Sequence, residues 1–158
     1  MSTYETALLL HIVGALLYFS GIALAGVAFF AARRREQPGE VATVLTLART
    51  GVLVAGVGTA LLLGCAFWLV DLSGAIGFGD AWISAALGLF GGSVLLGGVA
   101  GQAPKRARKL AARLAAENGP RTPELSRLLD HGPSLILNIV AGLASVAVLV
   151  LMVWQPGS

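Results

Sequence analysis

Three side chains in this sequence have the chemistry to hold a soft metal ion or a haem iron: His11, Cys65 and Met152. Imidazole with thiol or thioether donors suits copper(I), and a His/Met pair also holds haem. All three lie in long apolar runs, where an ionisable group such as His11 is costly and calls for a reason. His11 sits six residues beyond Glu5, about 9 Å along a helix. Cys65 precedes Asp71 by six residues and Met152 precedes Gln155 by three. If the runs cross a bilayer, the three share one depth. The plainer reading is a histidine that hydrogen-bonds to a neighbouring helix, with Cys and Met as apolar filler. His131 belongs at the opposite end of the last run, roughly 20 Å or more away by helix rise. The two histidines therefore cannot share one haem iron within a chain. No nucleophile–base pair, phosphate loop, zinc spacing or paired carboxylate accompanies them, which leans against an enzyme.

The elements that must position these residues are read from hydropathy. Of 158 residues, 56% are apolar and 12% charged, about half the charge of an ordinary soluble domain. The mean hydropathy is +0.83. Spans are predicted at about 6–32, 50–70, 81–102 and 134–154, the last within an uncharged stretch over 132–158. Each reaches the roughly 20 residues a crossing helix needs, and lipid leaves helix as the form such runs take. The expected fold is all-α, one integral membrane four-helix bundle forming a single domain. The first run has no basic residue before it and is too long for a cleaved signal's apolar core, so it reads as a retained span.

Orientation follows from charge. Arg33, Arg34, Arg35 and Arg49 lie between spans one and two, and the other seven basic residues, from Lys105 to Arg127, between spans three and four. The remaining loops carry only Glu5, Asp71 and Asp80. The positive-inside rule puts both basic loops in the cytoplasm and both termini outside. Trp68, Trp82, Trp154 and Tyr4 fall near the outer ends, as an aromatic belt requires. The pI near 9.6 thus reflects loop placement and does not imply nucleic acid. Asp80 reads as the N-cap of span three, and Arg49 can snorkel at the start of span two.

The second basic loop, 103–131, predicts a short cytoplasmic helical hairpin, partly continuous with span three. Ala107, Leu110, Ala111 and Leu114 recur at helical spacing, Asn118-Gly119-Pro120 ends the first helix, and Thr122-Pro123-Glu124 caps the second. Its basic face suits anionic lipid headgroups or solvent. Small-residue stripes at Gly56, Ala60 and Gly64, and at Ser84, Gly88, Gly92, Gly97 and Gly101, predict close helix packing or homo-oligomer contacts. Span one carries Gly14, Gly21 and Gly26 less regularly. Asn138 is expected to bond across helices.

LHIVGALLYFSG at 10–21, FWLV and GFGDAWIS within 67–84, GPRTPELSRLL at 119–129 and LMVWQPG at 151–157 give the chain a further identity. On these pieces it resembles the DUF2269 family of bacterial predicted integral membrane proteins. That resemblance implies a four-helix protein of the bacterial inner membrane and no established reaction. More distantly, the opening histidine-glycine helix is similar to those of CopD-type copper-resistance and HemJ-type protoporphyrinogen oxidase membrane proteins. This implies haem or metal handling, and only His11 carries over. Three functions are therefore expected in order: a structural or accessory membrane subunit, a haem- or copper-handling protein using His11, and a small-solute or proton transporter. The last has a nearly charge-free interior against it.

Overall fold

A computed structural model of the protein describes residues 2–73 and 80–154. Every regular element among them is a helix: α1 Thr3–Arg33, α2 Pro38–Ser73, α3 Ala81–Ala100, α4 Gln102–Ala116, α5 Pro123–Leu129 and α6 Gly132–Trp154. Four helical stretches are long and apolar enough to cross a membrane, and they contain the four expected spans. The chain forms two compact units, Met1–Gly74 with Pro104–Asp130, and Ala75–Ala103 with His131–Ser158.

The helix starts follow local chemistry. Ser2 caps α1 through a capping box: its hydroxyl accepts from Glu5 N at 3.2 Å, and Glu5 accepts from Ser2 N at 2.8 Å. Thr122 accepts from Leu125 N at 3.3 Å, with Pro123 following in the first turn. Asp80 occupies the N-cap position of α3 without a side-chain capping bond. The end of α4 is a Schellman motif, with Asn118 in the left-handed region (φ 49°). Gly119 N donates to Leu114 O at 2.8 Å and Asn118 N donates to Ala115 O at 3.3 Å.

In the first unit α1 packs on α2. Along the seam α1 buries Ala7, Gly14, Tyr18, Gly21, Ala28 and Ala32, with Phe29 buried beside them, and half-buried His11 and Ala25 complete an alternation of four and three. On α2 the buried series is Val41, Leu45, Ala48, Gly51, Ala55, Gly58, Leu62 and Cys65. This is the seam spacing of a left-handed coiled pair, carried by small residues that let backbones touch. A Cβ on Gly14 would come 2.7 Å from Leu62 N, and one on Gly51 2.7 Å from Ala25 N. Gly21 meets Ala55 and Gly58 meets Tyr18 just as closely. The helices are antiparallel, since 14, 18, 21 and 25 face 62, 58, 55 and 51.

α2 begins well before its apolar run. At 36 residues it is about 54 Å long, against a hydrocarbon core of about 30 Å. Its extra turns, with the end of α1, support α4 and α5. Ala28, Phe29, Ala32, Val41, Leu45, Ala48, Ala107, Ala111, Leu125 and Leu129 form one buried cluster. The apolar face of α4 is thus covered by protein, while Lys105, Arg106, Lys109 and Arg113 are exposed. Arg33 donates to Asp130 at 2.9 Å, and Arg121 donates to Arg35 O and Ser126 Oγ.

In the second unit α3 packs on α6. Their buried faces are Ile83, Ala86, Phe90, Ser93 and Ala100, and Ser134, Ala141, Ser145 and Val148. Ser134 Oγ donates to Ala100 O and ties the end of α3 to the start of α6.

Candidate functional site

The seam carries the site candidates of the first unit. His11 Nδ1 lies 3.1 Å from Leu62 O. A carbonyl oxygen can only accept, so Nδ1 carries the proton. In a neutral imidazole of this tautomer, Nε2 keeps the lone pair. A backbone-anchored Nδ1–H is also the arrangement that orients ligating histidines. Extending the antiparallel register of Gly14 with Leu62 by one step puts His11 at the level of Cys65, a buried free cysteine. Met152 lies near the end of α6, in the second unit. Among the described residues, no three His, Cys, Asp or Glu side chains group as metal ligands. The fold therefore brings two of the three soft candidates into one register layer, and ties one imidazole nitrogen to the backbone.

His131 sits at the start of α6, exposed, where its Nδ1 accepts from Ser134 N at 3.2 Å. Asn138 differs from expectation. Its amide donates to Ser134 O at 2.9 Å, within its own helix, because the i−4 carbonyl is always within reach of a short polar side chain. Thr59, Ser93 and Ser145 also donate to carbonyls of their own helices, at 2.9, 2.7 and 2.9 Å. No described buried side-chain nitrogen or oxygen lacks a partner.

The glycine stripes are also placed differently. A Cβ at Gly56, Gly64, Gly88, Gly92 or Gly97 would meet nothing within 4 Å. Ser84 is exposed, and a Cβ at Gly101 would meet only carbonyls of its own chain segment. The physical reason is drift. A four-residue repeat advances about 40° around the helix at each step, whereas a seven-residue repeat slips about 20°. The contacting glycines are accordingly seven apart, Gly14 with Gly21 and Gly51 with Gly58. Gly51 and Gly58 escaped the sequence reading. Their detectable signal was that shared seven-residue interval.

The aromatic residues sit at helix ends. Tyr4 and Trp68 lie near one end of the α1–α2 pair, and Trp82 and Trp154 near one end of the α3–α6 pair. Residues 155–158 of the terminal LMVWQPG segment, and 74–79 of the GFGDAWIS region, lie outside the described residues. Comparison with curated proteins and with solved structures gave no match. The family comparison is decisive: a model described as predicted integral membrane protein matches residues 5–156. With four membrane-length helices and a match over nearly its whole length, the chain belongs to the DUF2269 family of integral membrane proteins.

Proposed function

We propose that the protein is a non-enzymatic structural or accessory subunit of the bacterial inner membrane, with both termini outside and both basic loops in the cytoplasm. One observation carries the reading. Described polar side chains within the spans bond to backbone carbonyls, His11 to Leu62 and Ser134 to Ala100 across helices, and Ser145 to Ala141 within its own helix. The open glycines on α2 and α3 add support, because such faces let another helix backbone approach closely. The test is purification at native expression in lipid nanodiscs. A homo-oligomer or a stoichiometric membrane partner is expected, and a strictly solitary monomer overturns the reading.

The second reading is a haem- or copper-handling protein with His11 as ligand. It is favoured by the Nδ1–H tautomer, which leaves Nε2 a donor lone pair, and by the register that sets Cys65 opposite. Protein from cells supplemented with haem and copper should then show a Soret band or stoichiometric copper that His11→Ala abolishes. Loss of copper but not of haem in Cys65→Ala would separate the two ligands. Colourless, metal-free protein sinks this reading and leaves the first intact.

A further inference from the structure

Three arginines end α1, and the structure treats them unequally. Arg33 is paired with Asp130 at 2.9 Å, and Arg35 with Glu40 at 3.6 Å. Arg34 has no acidic partner among the described residues. It is exposed, and its guanidinium turns back along α1 to lie 4.8 Å from the centre of the Phe30 ring. That contact places the cation at the end of a shallow, open groove on α1 lined by Gly26, Val27, Phe30, Ala31 and Arg34. Gly26 leaves a notch in it because it carries no side chain, and a Cβ there would meet nothing within 4 Å. Val27 is 69% and Phe30 52% exposed, so this stripe is turned away from the seam. Its residues cover roughly 12 Å of helix, apolar throughout and ending in a fixed positive charge.

We propose that this face of α1 seats one anionic phospholipid from the leaflet at the basic end, with an acyl chain along Gly26–Ala31 and its phosphate against Arg34. The chemistry is complementary at both ends. The groove has no polar group for a water-soluble ligand until Arg34 is reached, and a lipid puts its anion at that depth. The aromatic ring orients the guanidinium without neutralising it, which two neighbouring carboxylates do for Arg33 and Arg35.

The experiment is native mass spectrometry of the full chain in a neutral detergent, titrated with phosphatidylglycerol or phosphatidylcholine of identical acyl chains. One retained phosphatidylglycerol per chain is expected, with about fivefold preference over phosphatidylcholine, the worth of one arginine near an anionic headgroup. Arg34→Gln should erase the preference and Arg34→Lys should keep it. Gly26→Leu should lower retention of both lipids by filling the notch. Arg106→Gln, on the exposed face of α4, should change nothing. The proposal is overturned by equal retention of the two lipids by the unmodified chain, by an unchanged preference in Arg34→Gln, or by an equal loss in Arg106→Gln. Thermal stabilisation by inorganic phosphate equal to that by phosphatidylglycerol would also overturn it, because the groove would then contribute nothing.

Discussion

Gly58 and Gly56 are two residues apart on one helix, yet they should respond oppositely to the same methyl group. A Cβ on Gly58 collides with the backbone of Tyr18, whereas one on Gly56 meets open space. Backbone cannot swing aside as a long side chain can. Gly58→Ala should therefore cost about 1–3 kcal/mol of stability in detergent, and Gly56→Ala should stay within about 0.5 kcal/mol. Thermal unfolding followed by circular dichroism reads the difference, and the reverse order would contradict the seam. His11 offers a second test at this scale. If it serves only as a bond to Leu62, His11→Phe should cost about 0.6 kcal/mol, a common value for a hydrogen bond between membrane helices. Much larger losses, tied to loss of an absorption band, would place the residue with a ligand instead.

Local signals at the element scale were read well where the chemistry is short-range. The Thr122-Pro123 start and the Asn118-Gly119 stop appear as expected, because each is decided by bonds within five residues. Asn118 holds φ 49°, a conformation that β-branched residues resist. Asn118→Val should thus cost about 1–2 kcal/mol and speed amide exchange at Gly119, while Asn118→Gly should be tolerated. The destination of the amphipathic face was less legible. Periodicity marks Ala107, Ala111 and Leu114 as one face, but cannot say whether lipid or protein covers it. The buried cluster with Phe29, Leu45, Leu125 and Leu129 answers that. Leu125 is fully buried, so Leu125→Ala should cost about 2–5 kcal/mol. It should also loosen α5 so that trypsin cleaves at the already exposed Arg127 before the long helices unfold; protease resistance equal to that of the unmodified chain would count against α5 docking.

Across the whole molecule, the orientation proposal makes a direct prediction. With Cys65 replaced by Ala, a cysteine at position 2 should react with a membrane-impermeant maleimide on intact cells. A cysteine at exposed position 112 should react only after the cells are opened. Labelling of both from the same side would reverse the reading. The sequence by itself determined the number of the apolar helices, the apolar stretch within each, their helical character and the family. Those depend on transfer of a chain segment from water to lipid, a sum over neighbouring residues. Only the tertiary structure decided which glycines touch, that Asn138 bonds its own helix, and that His11 presents Nδ1 to Leu62 opposite Cys65. Each of these depends on rotation about a helix axis and on register with a partner distant in sequence. An error of about 40° per step in the assumed repeat is enough to move a stripe off the seam. His11, Cys65 and Met152 were legible as candidate ligands by residue type. Which of them share a layer was not, because depth along a helix fixes one coordinate and the partner helix fixes the others.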